Sequence, residues 1–372
     1  MSNTAARKEK IPELHFERYL RIMRQLFGHN PVAYLEQAMQ ESGRPLDSVG
    51  ESDILGYLGV IIPGFTEMYS SSNPEERSNA RILSTGFFQS YHFNRQKRVF
   101  RLEEGLTQKL LHTGIEHVDS SFVRSPFKSI YVSLPYNQEL VIPDGTANEY
   151  LVDGFYLYVD PDVATKDVTT DLEGKNPLSE EVGGATRCTA MKFLATGLKR
   201  KDTGVTCSEE DDALFFGTFL LGPGDVMPQV KHKVDKWTSV EANKPYLETL
   251  FRFILNTALY ITSPSAEMAP ILARFDPQTA KDADRRNKGL SKINQVSVGG
   301  SIRVIRGMAE HYGSTEVHMR LKNCPRWLVR GHWRNQAHGE ARALRRMLWV
   351  EPYEKGKDLA TVLQSKDYVV GE

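Results

Sequence analysis

The spacing of hydrophobic positions changes near residue 120. Before it, apolar residues recur three and four apart, as on one face of a helix. Phe16, Tyr19, Leu20, Met23, Leu26 and Phe27 predict a first helix, with Gly28 placed to end it. Asn30-Pro31 has the form of an N-cap followed by proline in the first turn. It opens a second predicted helix through Met39 that stops near Gly43. Asn73-Pro74-Glu75-Glu76 repeats the signal for a longer helix reaching about His92, and Glu103 to His112, closed by Gly114, is a further candidate.

After Ser120 the pattern becomes that of strands. Residues 129–135, 140–142 and 150–159 are β-branched and aromatic runs set between Gly, Pro and Asn, and Ala185–Thr196 and Leu214–Leu221 read the same way. Asp160 to Gly184 reads as a long polar loop or β-excursion. Pro245 to Ile261 is largely apolar and too short on membrane criteria, so it is read as a buried central helix. Val296-Ser-Val-Gly-Gly300 suggests a glycine turn feeding a strand at Ser301–Ile305. The pattern predicts an α+β fold: a helical N-terminal region, a mostly antiparallel central sheet and a C-terminal α/β element with a basic hairpin. The corresponding domains are 1–120, 121–290 around the helix at 245–262, and 291–372.

The basic hairpin is the densest signal. From Arg326 to Arg346 there are six arginines and two histidines against one acid, Glu340, and three of the four tryptophans lie between Trp327 and Trp349. At period two, Trp327, Val329, Gly331 and Trp333 fall on one face, and Arg330, His332 and Arg334 on the other. The run Glu316–Lys322 alternates alike, with His318, Arg320 and Lys322 opposite Val317, Met319 and Leu321. Asn323-Cys324-Pro325 is a turn signal between the two runs. Paired as a hairpin with the apolar residues together, they set His318 near His332 and Arg320 near Arg330. Like charges opposed across strands destabilise a sheet. Such a face therefore calls for an anionic partner, or for acidic groups from elsewhere in the fold.

Composition narrows the partner. With 47 basic and 47 acidic residues the chain carries no net charge, so any nucleic-acid contact must be local. At 372 residues, two or three subdomains are expected. The polar start is neither signal peptide nor anchor, and no long apolar window predicts a membrane span. Cys188, Cys207 and Cys324 are scattered, which argues against disulfides and fits a cytoplasmic setting. The acidic run Glu209–Asp212 is read as a solvated loop, with neutralisation of the basic hairpin or ion binding as the alternative.

Arg330-Gly331-His332-Trp333, preceded by Val298-Gly299-Gly300 and followed by a Trp-containing strand near Trp349 and Pro352, resembles the family of the second-described type V-A anti-CRISPR protein. Weaker echoes are the strand ending Leu134-Pro135, Gly154-Phe155 and the helix around Pro245–Ile261. The resemblance spans roughly residues 125–356. It implies a phage- or plasmid-borne inhibitor that reduces production of a CRISPR effector nuclease, engaging the emerging polypeptide and provoking loss of its mRNA. The implied partners are a nascent polypeptide, mRNA or the ribosome, with no membrane.

No Walker loop, G-x-S-x-G, H-E-x-x-H or dinucleotide fingerprint is present, and no cofactor or metal is expected. His117 and Asp119 could share a strand face but are read as a polar helix-to-strand junction rather than a metal pair. His318 and His332 could serve as base and acid in metal-independent RNA cleavage, with arginines over the phosphate. The alternative is that they only hold a polar surface. The binding candidates are Arg320, Lys322, Arg326, Arg330, Trp333, Arg334, Arg345, Arg346 and Tyr353, the last as a base-stacking platform, as is Trp333 if the end of the hairpin is exposed. Three function classes stay open: an adaptor without catalysis, a ribonuclease, and a phage structural or packaging protein.

Overall fold

The computed structural model describes residues 28, 31–96, 98–135, 140–143, 149–164, 185–199, 212–237, 243–270, 294–302 and 326–356. The fold is α+β, and the chain forms two compact units, Met1–Arg95 and Gln96–Glu372. The first predicted helix, at 16–27, and the acidic residues Glu209 to Asp211 lie outside the described residues.

The N-terminal unit is helical: α1 (Pro31–Glu41), α2 (Glu51–Ile61), α3 (Phe65–Tyr69) and α4 (Pro74–Gln96). The Asn-Pro signals at 30 and 73 mark the starts of α1 and α4. The sequence reading passed over α2, whose Gly56 and Gly59 weaken helix propensity. Tertiary packing carries it instead, through Ile54, Tyr57 and Leu58 at i, i+3, i+4. Asp53 starts α2 by accepting the Gly50 N–H at 2.9 Å, and is gripped by both terminal nitrogens of Arg44 at 2.6 and 2.9 Å. Tyr57 lies between the rings of Tyr34 and Phe87, and burial pushes its hydroxyl up to about 12.

The second unit is built on an eight-stranded sheet. Its strands are β1 (Arg98–Leu102), β3 (Ser129–Ser133), β4 (Val141–Pro143), β5 (Glu149–Ala164), β6 (Arg187–Lys199), β7 (Asp212–Leu221), β8 (Met268–Pro270) and β9 (Asn294–Val298). The order is β7-β6-β5-β3-β1-β9-β8, with β4 on β5. Among the described residues, only the pairings of β1, to β3 and to β9, are parallel in this sheet, which is mostly antiparallel. A five-residue strand between two helices leaves little periodicity to read, and β1 escaped the sequence reading. It moves the start of the sheet unit to Gln96, ahead of the boundary expected near 120. Likewise β9 enters the main sheet.

Among the described residues, three α-helices belong to this unit: α5 (Glu104–Leu111), α6 (Val226–Trp237) and α7 (Lys244–Thr262). On α7, Leu247 and almost every residue from Leu250 to Ile261 is buried, Arg252 excepted, which accounts for its unbroken apolar run. Phe251 meets Phe219 and Phe193 edge-on, with ring centroids 4.5 and 5.4 Å apart, and Phe253 meets Phe155 at 6.2 Å. Each such ring contributes roughly 1.5–3 kcal/mol of apolar burial. Helix α6, also absent from the sequence reading, buries Val226, Val230 and Val234 at i, i+4 spacing.

The glycine pair at 299–300 follows strand β9, and residues 303–305 of the strand expected after it lie outside the described residues. Gly299 has φ +81°, and a Cβ there would sit 2.7 Å from Leu106 on α5. His117 and Asp119 do not share a strand face. His117 stands in a turn with φ 66°, and Asp119 caps a 3-10 turn by accepting the Ser121 N–H at 2.9 Å.

Candidate functional site

Four strands and the dipeptide β2 (Thr113–Gly114) form the C-terminal element. Strand β10 (Arg326–Val329) pairs antiparallel with β13 (Tyr353–Gly356), and β11 (Gly331–His338) pairs antiparallel with β12 (Leu344–Val350). The pairing partner expected for β11, the run with His318, Arg320 and Lys322, lies outside the described residues. At His332 both edges of β11 are already taken, by Val350 on β12 and by Gly114 on β2. The basic hairpin is therefore β11–β12, with Gly339 and a short 3-10 stretch, Glu340–Arg342, as its connection.

Alternation sorts the side chains as a two-sided strand requires. Trp333, Trp349 and Met347 face the core; His332, Arg334, Gln336 and His338 face outward with their cross-strand partners Val350, Leu348, Arg346 and Leu344. Trp333 is 4% exposed, and its indole N–H donates to the Asn256 side-chain oxygen at 2.8 Å. The same Asn256 amide donates to the carbonyls of Leu110 and Thr113 at 3.0 and 2.8 Å. One buried side chain on α7 thus ties the helix, the end of α5 and the hairpin together. Trp349 stands edge-on to Tyr260 at 5.0 Å and donates to Thr113 Oγ1 at 3.2 Å. Burial raises the Tyr260 hydroxyl above its ordinary range. Lys109 of α5 is buried but reaches Glu351 at 2.6 Å, a further pin between α5 and the chain just after β12.

The Arg-Gly-His-Trp core of the sequence now has a physical reason at each position. Arg330 falls in the break between β10 and β11 and is exposed. Gly331 is buried so closely that a Cβ would lie 2.5 Å from Thr113 Oγ1 and 2.7 Å from Pro352 Cδ. His332 faces out and Trp333 faces in. Trp333 is consequently a core residue, as its place on the apolar side of the strand predicts, and the condition for its stacking a base, an exposed position, is not met. Tyr353, 43% exposed on β13, remains a surface aromatic.

The basic candidates divide by geometry. His332, Arg334 and Arg346 share the outward face, all exposed, and none has a hydrogen bond or ion pair among the described residues. Arg345 falls on the opposite face at the far end of the hairpin and folds back on its own loop, donating to the Arg342 and Leu344 carbonyls at 2.7 and 3.2 Å. Arg326 heads β10. The described histidine sharing a face with His332 is His338, six residues along the strand and so roughly 20 Å away. That is far beyond the reach an acid–base pair needs. No group of three or more potential metal ligands occurs among the described residues, and none of their helices is long and apolar enough to cross a membrane.

Two residues absent from the sequence expectations matter to this element, Asn256 and Arg252. Both are polar side chains one turn apart in an otherwise apolar run, and a polar residue inside a buried helix was the signal available. The Arg252 guanidinium donates to the Leu111 carbonyl at 3.4 Å, while its Nε is sealed from solvent with no acceptor. Burial lowers its pKa, and the nearby Arg330 charge lowers it further, against the pull of Glu248 and Glu116.

Comparison with known proteins gives one family and one fold. The profile of the anti-CRISPR type V subtype A2 family (AcrVA2-like) matches residues 100–353. Among solved structures, the crystal structure of AcrVA2 aligns at a TM-score of 0.51 and 12% identity, covering 92% of this chain and 99% of that one. At that identity the likeness is one of fold. No curated protein matches the chain.

Proposed function

The chain belongs to the anti-CRISPR type V subtype A2 family, and on that premise we propose that it lowers production of a CRISPR effector nuclease as a non-catalytic adaptor. It engages the nascent effector chain, its mRNA or both in the cytoplasm, where translation occurs. The observation that carries the reading is the outward face of the β11–β12 hairpin. His332, Arg334 and Arg346 stand exposed and unpaired on a sheet whose inner face is locked by Trp333 and Asn256. Exposed cations held on a rigid support, with no ion pair among the described residues, present a ready surface for an anionic partner. Rigidity reduces the ordering cost of binding.

The test is co-expression with an effector gene, reading effector protein and mRNA together. Wild type is expected to deplete both, and to spare a message whose start codon is removed. The double variant Arg334→Ala with Arg346→Ala is expected to stay folded and to lose the depletion. Full depletion by the double variant refutes the assignment of this face. Depletion of an untranslatable message to the same extent refutes engagement of the nascent chain.

A further inference from the structure

Beside the hairpin, Arg252 projects from α7 on the same helix face as Asn256, toward the segment that joins α5 to β2. Its guanidinium meets the Leu111 carbonyl at a long 3.4 Å and forms no ion pair with any described residue. The side chain is half-buried, and Nε is wholly enclosed without an acceptor. Arg330 immediately precedes Gly331, which pairs with Thr113, two residues beyond Leu111. Both arginines therefore stand at the β2 end of the hairpin, where their charges oppose each other. Arg330 has no hydrogen bond or ion pair among the described residues. Arg330 is fixed there because Gly331 packs directly on Thr113 and Pro352.

A half-buried cation with an unsatisfied donor, next to a second cation, is an unfavourable arrangement in isolation. It becomes favourable once an anion is placed between the two guanidinium groups, because the planar forks of arginine match a carboxylate. We propose that Arg252 and Arg330 form a clamp for a carboxylate side chain of an acidic peptide segment.

A peptide fits better than RNA on the adjoining outward face, which alternates aliphatic and basic side chains, Val350 and Leu348 opposite His332 and Arg334, and carries no Phe, Tyr or Trp on which to stack bases. The exposed Tyr353 stands on β13, outside that face. The clamp rests on the reading above that a polypeptide is the partner. It needs no effector to be tested, so it can fail while that reading stands.

The experiment uses the full chain and three fluorescent probes: an N-acetylated hexaglutamate peptide, its hexaglutamine counterpart and a uridine hexanucleotide. Wild type is expected to bind hexaglutamate at least tenfold more tightly than the other two. Arg330→Ala should weaken hexaglutamate about tenfold with an unchanged melting temperature. Arg252→Met keeps the length of the side chain and removes its charge. It should weaken the same peptide at least tenfold while the melting temperature holds or rises, because a charge with no ion pair among the described residues has left a half-buried site. Equal binding of hexaglutamate by all three proteins overturns the proposal, as does preference for the uridine probe. A fall in melting temperature for Arg252→Met with peptide binding intact also overturns it, since Arg252 would then be a strut on Leu111.

Discussion

Replacing Asn256 by alanine is the sharpest test of how the hairpin is held. The side chain is 0% exposed and makes three hydrogen bonds: two donated, to the Leu110 and Thr113 carbonyls at 3.0 and 2.8 Å, and one accepted from Trp333 at 2.8 Å. Alanine strands one indole N–H and two carbonyl oxygens in the core. A stranded buried group costs about 1–3 kcal/mol. A carbonyl left with another donor costs least, so we expect a total loss of about 3–5 kcal/mol. Trp333→Phe removes the N–H and part of a buried ring, and should cost about 2–4 kcal/mol. The Trp–Asn bond can be lost only once. The double variant should therefore fall short of additivity by about 1–2 kcal/mol. Urea unfolding followed by tryptophan fluorescence suits the measurement, because three of the four tryptophans lie between Trp327 and Trp349. Unchanged m-values keep the comparison to stability alone. A loss below about 1 kcal/mol for Asn256→Ala, or a strictly additive cycle, would show that the three-way junction is not what fixes the hairpin.

Other expectations follow from the same geometry. Trp333→Ala should cost about 3–5 kcal/mol as a buried large-to-small change, whereas Arg334→Ala should stay within about 0.5 kcal/mol, both by urea titration. Gly331→Ala forces a Cβ against Thr113 and Pro352, and should cost about 1–3 kcal/mol by the same titration while leaving the N-terminal helices intact by circular dichroism. In the N-terminal unit, the Arg44 guanidinium holds the Asp53 carboxyl below its ordinary range. A depressed folded pKa gives stability that is present above the unfolded value of about 3.9 and is lost as pH falls through the folded one. The pair is partly exposed, so Asp53→Asn should be weaker by only about 0.5 kcal/mol at pH 6. That gap should close on acidification below about pH 4; a gap independent of pH would exclude the ion pair as its source.

Much of this molecule was legible in its sequence. Asn-Pro starts placed two helices of the N-terminal unit, the apolar run at 245–261 placed α7, and β-branched runs placed the long antiparallel strands. Period two sorted Trp333 inward and Arg334 outward, since successive residues of any strand must face opposite ways. Which strand lies beside which was not legible in that way. Backbone hydrogen bonds are the same for every residue type, so alternation fixes the face of β11 but not its neighbour. The expected partner was the nearest similar run in sequence. The structure instead gives β11 a neighbour beyond the connection, β12, and a second one more than two hundred residues earlier, at Thr113–Gly114. The same holds for the inward tryptophan. Its sequence says that it is large and apolar on one side of a strand. Only packing against α7 supplies the Asn256 oxygen that accepts its N–H and so turns a possible base-stacking residue into a buried pin. Arg252 likewise reads as one charge in an apolar helix, and only the approach of Leu111 and Arg330 leaves it half-buried and short of an acceptor. Local periodicity determined which side chains face in or out, and the long-range contacts of α7 with α5, β2 and the hairpin decided which of them are left for a partner.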